Sequence, residues 1–349
     1  MKLKNKISRV FKFSVLDKDT VAYISDDKLF VIKNQKQIDI QTPKVSRILF
    51  KIGKYLFVSE SEPDGMYVYD YQNEFTFFLL DFILNIPISL ENRRTQKYFY
   101  PNVSRKDIEA ITGKMDIVTP NNLASTYPIN YGGNGVWLVL SERYFLSLKN
   151  PILKCLHFET GSIKWEIDFS EIGASMKYDG RKIEGEVTNL YHISDEVIVV
   201  ELSQKGIAGV STDTGEILWQ VNKDIEPIKP TLYKGIFYGF SEFYYEIDGI
   251  TGKLLRQQSY KEIFAQNNFR DYRLTRPCIT EDLIAITSHY DNAILLLDKA
   301  TLNVIQRIQI EGSKNGLSLT DIPQIHGNSL YQLDGDNTLH IFDISTVLN

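Results

Sequence analysis

Ser211-Thr212-Asp213-Thr214-Gly215-Glu216-Ile217-Leu218-Trp219 and His157-Phe158-Glu159-Thr160-Gly161-Ser162-Ile163-Lys164-Trp165 are two copies of one pattern. It is a turn of the form Asp-x-x-Thr-Gly, here with Ser or His in first place, followed by a tryptophan four residues past the glycine. Asp248-Gly249-Ile250-Thr251-Gly252 keeps the turn but carries Arg256 where the tryptophan would stand. Asp298-Lys299-Ala300-Thr301 loses the glycine, and Asp343-Ile344-Ser345-Thr346 is the last copy. Upstream, Glu109-Ala110-Ile111-Thr112-Gly113 fits, while Asp70-Tyr71-Gln72-Asn73 and Lys33-Asn34-Gln35-Lys36 fit by position alone. A recurrence of roughly 40 to 50 residues marks a solenoid or propeller, in which one unit cannot bury its apolar face alone.

The flanks of each turn decide between those architectures. They alternate apolar and polar residues, as half-buried strands do, without the three-to-four spacing of helices. Between residues 228 and 257, Pro230-Thr231-Leu232-Tyr233, Ile236-Phe237-Tyr238-Gly239, Tyr244-Tyr245-Glu246-Ile247 and Lys253-Leu254-Leu255-Arg256 read as four short strands. The same four beats recur over residues 187–221 and 277–308. Four antiparallel strands per repeat, arranged radially, make the β-propeller blade, which leaves only short protected edges. In the turn itself, glycine supplies a positive φ without a Cβ clash and threonine bonds local backbone.

These motifs resemble the repeat of the quinoprotein-like propellers, the PQQ-like repeat β-propeller superfamily, in degenerate form and over nearly the whole chain. The resemblance implies that the tryptophan of one blade docks on its neighbour. Only Trp165 and Trp219 keep that residue, and the small residue ten positions earlier is Cys155 in one copy and Gly209 in the other. Quinone enzymes of the superfamily add a calcium site and, in several, an adjacent-cysteine disulfide. Neither is visible here, so the resemblance implies a fold and no cofactor.

Seven blades are expected, with eight as the alternative if the Thr112-Gly113 copy belongs to a blade of its own. Residues 84–131 around it, rich in Pro, Asn and charge, read as an elaborated connection or irregular blade, and Ser104-Arg105-Lys106-Asp107 equally caps a short helix. The last unit stops before its fourth strand, so the stretch near residues 7–15 is expected to supply that strand and close the ring. One domain over residues 1–349 follows, because closed all-β architectures routinely exceed the usual domain length and no Gly/Ser tract, Pro run or charge block divides the chain.

The 349 residues are 43% hydrophobic and 24% charged with a formal net charge of −5, which supports a large core and argues against a nucleic-acid partner. The basic start, Met1-Lys2-Leu3-Lys4, precedes no signal-peptide core, and no stretch is apolar enough to span a membrane. A cytoplasmic protein is expected, with Cys155 and Cys278 reduced and buried in strands.

Catalytic motifs are missing: there is no Walker-type loop, His-Glu-x-x-His, Cys-x-x-Cys or Gly-x-Ser-x-Gly. The five histidines, His157, His192, His289, His326 and His340, are scattered. Asp334-Gly335-Asp336-Asn337 has carboxylates at calcium-like spacing but lacks the distant bidentate glutamate, and reads as a turn between strands.

If the Thr-Gly turns join third and fourth strands, the longer loops emerge at the opposite end. They include residues 168–186, with Tyr178 and Arg181, and residues 259–276, with Phe269, Arg270, Tyr272, Arg273 and Arg276. Loops of that length are usually functional or disordered, and aromatics with arginines are enriched at interface hot spots. The alternative is that these side chains cover the ring's edge and pair with its acids. Shorter loops at the same end are acidic: Asp26-Asp27, Glu60, Glu62, Asp64, Glu142, Glu242, Asp291, Asp334 and Asp336. The expected function is a non-catalytic scaffold that binds another protein through this face, as an assembly platform or an immunity-type inhibitor. The alternative is an enzyme or small-molecule binder with its site at the mouth of the central channel.

Overall fold

A computed structural model describes residues 2–17, 20–33, 36–40, 42, 44–52, 55–60, 66–72, 75–79, 136–140, 144–157, 162–176, 179–203, 206–221, 230–240, 243–270, 276–318 and 321–347. The expected elaboration at 84–131 lies outside them. After β1 (Lys2–Ile7), β2 (Val10–Asp17), β3 (Thr20–Ser25), β4 (Lys28–Lys33) and β5 (Lys36–Ile40) form one sheet. The next comprises β6 (Val45–Ile52), β7 (Tyr55–Glu60), β8 (Met66–Asp70) and β9 (Phe75–Leu79). A third holds β10 (Val136–Val139), β11 (Tyr144–Lys149), β12 (Ile152–His157) and β13 (Ile163–Asp168). A two-stranded hairpin, β14 (Ser175–Met176) and β15 (Lys182–Ile183), precedes β16 (Val187–His192), β17 (Val197–Leu202), β18 (Gly206–Ser211) and β19 (Ile217–Gln220). Then come β20 (Thr231–Tyr233), β21 (Ile236–Phe240), β22 (Tyr244–Asp248) and β23 (Leu254–Gln258). The sixth sheet holds β24 (Cys278–Ile279), β25 (Leu283–Ser288), β26 (Ala293–Asp298) and β27 (Val304–Gln309). β28 (Gln324–His326), β29 (Ser329–Leu333) and β30 (Leu339–Asp343) take β1 as their fourth strand. The described residues are thus all-β but for one short helix, in four-stranded sheets whose assigned pairings are antiparallel.

The chain divides into two compact units, residues 1–48, 227–248 and 253–349 in the first and residues 49–226 and 249–252 in the second. Within the first unit consecutive sheets pack face to face. Phe240 and Tyr244 meet Ile284 and Leu295, Ala285 and Leu296 meet Leu330 and Phe342, and Leu339 and Ile341 meet Val10 and Tyr23. Within the second, Leu146, Leu153 and Cys155 meet Ile198, Val200 and Val210. The middle strands explain this packing. Val197–Leu202 and Leu283–Ser288 are mostly apolar and are buried along their whole length, Glu201, Thr287 and Ser288 included, whereas Leu254–Gln258 alternates between half-buried and exposed positions. Both cysteines lie in strands and are unbridged, and burial pushes the Cys155 thiol up to about 12.

The repeated turn follows from local hydrogen bonding. Ser211 Oγ accepts from the amides of Asp213 and Thr214, Thr214 Oγ1 accepts from the Glu216 amide, and the Gly215 amide donates to the Ser211 carbonyl. Asp298 does the same with a carboxylate, accepting at 2.7 Å from both the amide and the hydroxyl of Thr301. In these two copies the first position supplies an acceptor oxygen on a short side chain.

Docking of the tryptophans is equally specific. Trp165 Nε1 donates to the Thr212 carbonyl at 3.0 Å and Trp219 Nε1 to the Ile250 carbonyl at 2.7 Å. Each indole lies across the glycine of the turn it meets: a Cβ on Gly215 would come within 2.8 Å of the Trp165 ring, and one on Gly252 within 2.4 Å of Trp219. Trp219 also covers Gly209, its cross-strand partner, where a Cβ would fall 2.2 Å from the ring.

Arg256 performs the same task with different chemistry. Its guanidinium donates to the carbonyls of Lys299 and Ala300, at 3.2 and 2.8 Å, in the turn that lacks glycine. There Leu302 occupies the glycine position at φ +61° and is buried in the cluster of Phe240, Tyr244 and Ile284. Where the docking group is slender, the turn holds a side chain; where it is an indole, only glycine fits. Arg256→Trp is expected to destabilise the chain, and adding Leu302→Gly to recover about 1 kcal/mol or more, within the usual range for coupled neighbours. A urea-unfolding double-mutant cycle measures this, and strict additivity would refute the coupling.

The N-terminal strand that completes the last sheet is residues 2–7, not the stretch near 7–15 that the sequence pointed to. Lys2 to Ile7 pair with Leu339 to Asp343, while Val10–Asp17 opens the following sheet. Val10, Phe13 and Leu16 are buried, and at spacings of three in a strand they need packing on both of its faces. The lysine-rich 2–7 segment tolerates an outer position.

Candidate functional site

The connection from β23 to β24 is built around its own aromatic core. Helix α1 (Lys261–Gln266) begins after Tyr260 and buries Phe264. Tyr260 and Phe264 have ring centroids 4.3 Å apart, Phe264 and Phe269 5.0 Å, and Phe240 of β21 lies 5.5 Å from Tyr260. Phe269 is 4% exposed, so this predicted contact residue supports the connection from inside and offers no surface of its own.

Arg270 follows at the surface. Its amide donates to Asp291 Oδ2 and its Nε to Asp291 Oδ1, both at 2.6 Å, and one terminal nitrogen donates to the Tyr290 carbonyl at 3.0 Å. The guanidinium sits 5.5 Å from the centroid of the Tyr290 ring, which His289 meets edge-on at 5.2 Å. His289 is itself fixed by donating Nδ1 to the Leu317 carbonyl at 2.7 Å. Burial pushes the Asp291 carboxyl up, but the Arg270 amide, the Ser288 hydroxyl and the Arg270 guanidinium together hold it below 3.8. A lowered folded value means that the clamp's contribution is complete above the ordinary carboxylate range and is lost as pH falls through that lowered value. Tyr290 remains 39% exposed, a fixed aromatic surface beside a fixed cation.

Arg276 closes the other end of the connection, donating to the Pro230 carbonyl, while Thr231 Oγ1 donates to the Pro277 carbonyl at 2.6 Å. In the second unit, Arg181 donates through Nε to Asp179 Oδ2 at 2.8 Å on the β14–β15 hairpin. The base of that hairpin is tight: a Cβ on Gly185 would meet Gly173 Cα at 2.4 Å, and both glycine amides bond back to the Phe169–Ser170 backbone. Met176, the last residue of β14, is 67% exposed. Tyr178, Tyr272 and Arg273 lie outside the described residues.

The acidic loops are less free than their composition implies. Asp26 pairs with Arg9 at 3.5 Å and Asp291 with Arg270. Asp336 accepts from the amides of Lys314 and Asn315. Asp334 is buried, accepting through Oδ1 from the amides of Asp336 and Thr338 and facing His340 Nε2 at 2.8 Å through Oδ2. The calcium-like spacing thus serves a turn knotted to its neighbours. Among the described residues, no group of three or more His, Cys, Asp or Glu is arranged to hold a metal ion.

Tyr290 and Met176 escaped the sequence reading. Tyr290 sits in a four-residue turn that looks ordinary until Arg270 is brought against it, and a lone methionine carries no pattern.

No family model matches this chain, and no curated protein does. Among solved structures it is similar to BamB from Moraxella catarrhalis, at 13% identity and TM-score 0.39, over 93% of this chain and 82% of that one. It is also similar to the computationally designed Ika8 protein, at 12% identity and TM-score 0.44, over 96% and 83% respectively. At those scores the likeness carries no argument, and the fold rests on the sheets and turns described above.

Proposed function

We propose that the chain is a seven-bladed β-propeller closed by β1, acting in the cytoplasm as a non-catalytic scaffold that binds another protein through the end carrying its long connections. Seven four-stranded sheets among the described residues, tryptophan-to-turn docking and the pairing of β1 with β30 support the ring. The observation that carries the functional reading is Tyr290, exposed in the β25–β26 turn and held between His289 and Arg270, the latter supplied by a connection with a core of its own. Tyrosine and arginine presented without rotamer freedom lose little entropy on association, which is what distinguishes a hot spot from a solvated loop.

Capture from native extract, run with the parent chain, Tyr290→Ala and Asp282→Lys, tests the proposal. Asp282 lies at the opposite ends of the strands, in the turn before β25. A stoichiometric protein partner kept by Asp282→Lys and bound at least about tenfold more weakly by Tyr290→Ala is the expected result. Equal binding by both variants places the contact elsewhere and refutes the site. Failure to capture any stoichiometric protein refutes the scaffold.

A further inference from the structure

The first strand is the least cemented part of its sheet. β1 reads Lys-Leu-Lys-Asn-Lys-Ile, and Leu3 is 46% exposed, so among the described side chains of this strand only Ile7 packs against the core of that sheet. Its ladder with β30 shifts register between Leu3 and Asn5. The side-chain ties run through the exposed Lys4, which lies 3.4 Å from Asp343 and donates to Ser329 Oγ at 3.3 Å. By contrast β30 is buried from Leu339 to Phe342 between neighbouring sheets, so the strand that receives β1 is held in place without it.

The link to the rest of the chain is short and strained. Only Ser8 and Arg9 separate β1 from β2, and Arg9 adopts φ +62°, a conformation that costs a residue with a Cβ. Its ion pair with Asp26 is exposed on both sides. Immediately after it, Val10 is fully buried and its amide donates to the Asn337 carbonyl at 2.7 Å, so β2 cannot shift to relieve the bend.

We propose that β1 is exchanged between two copies of this chain, each copy's β1 pairing with the other's β30 in a swapped dimer. A second copy reproduces every contact that β1 makes at home: the same register, the same Ile7 packing and the same Lys4 partners. The balance therefore turns on the link. In the dimer residues 2–17 run extended, Arg9 leaves the left-handed region, and the strain of the short connection is released. Short connections under strain favour this kind of exchange, and an unrelated strand would have to rebuild the register with other side chains.

The test uses the full chain. Lys2 and Asp343 are directly opposed in the ladder, at a separation suited to a disulfide. Chains carrying Lys2→Cys alone and Asp343→Cys alone, mixed at high concentration and oxidised, are expected to yield a disulfide-linked heterodimer. The chain carrying both closes internally and is expected to stay monomeric by light scattering, with the parent's unfolding curve as proof of folding. The parent should dimerise increasingly with concentration, and Arg9→Gly, which removes the strain, should reduce the dimer fraction severalfold. A parent that is monomeric at every concentration, with no crosslink between the mixed chains, overturns the proposal. So does a dimer that persists in the internally closed double variant.

Discussion

Trp165→Ala is expected to lower the stability of the chain by about 3–5 kcal/mol, the range for deleting a large buried aromatic side chain. The indole is 7% exposed, closes the cluster of Leu153, Cys155 and Val210, and donates to the Thr212 carbonyl. Removing it leaves a cavity between two sheets and an unpaired carbonyl. Trp165→Phe separates the two effects, because it keeps much of the ring and loses the donor, and should cost about 1–3 kcal/mol. Gly215→Ala provides the converse test. Its Cβ would strike the Trp165 ring at 2.8 Å and must sit at φ +77°, so it should be destabilising in the parent and less so in Trp165→Ala. Urea unfolding followed by circular dichroism reads all four chains. A loss below about 1 kcal/mol for Trp165→Ala would mean that the indole is not a structural dock.

His340→Ala is expected to be comparably damaging for a different reason. The side chains of His340 and Asp334 are 3% and 2% exposed and meet at 2.8 Å. Without the imidazole, Asp334 Oδ2 has no partner in a site closed to water, and breaking one side of such a pair typically costs about 3–5 kcal/mol. Asp334 also orders the turn whose Asn337 carbonyl receives the Val10 amide, so the effect should reach the junction between β1 and β2. Asp334→Asn keeps an acceptor for the amides of Asp336 and Thr338 and should lose only about 1–2 kcal/mol. Thermal unfolding with hydrogen exchange at Val10 measures both variants. Equal losses for the two would remove the buried pair from the explanation.

The repeating four-stranded sheet was legible in the chain because both its signals are local. Period-two alternation follows from the strand, and the Asp-x-x-Thr-Gly spacing follows from hydrogen bonds closed within five residues, as Asp298 and Thr301 show. The strands of residues 231–258 lie within a residue or two of the positions their alternation marked. The candidate surface was legible only in part. Arg270 could be singled out by composition, but its partner Asp291 stands 21 residues away and nothing in either segment announces the pairing. Phe269, of the same composition, turned inward because α1 brings Phe264 and Tyr260 against it.

By itself, then, the sequence determined the strand pattern and the turn chemistry, set by residues close in the chain or repeated along it, while the docking of Trp165 and Trp219 was implied only by the resemblance to a known repeat. Tertiary structure alone decided that residues 2–7 complete the last sheet, that Arg256 and Leu302 replace the tryptophan and glycine together, and that Asp334 is a buried anchor for His340 while Tyr290 stands exposed. Each depends on which distant groups meet across two packed sheets. Burial and pairing of a side chain are properties of that meeting, which no local spacing encodes.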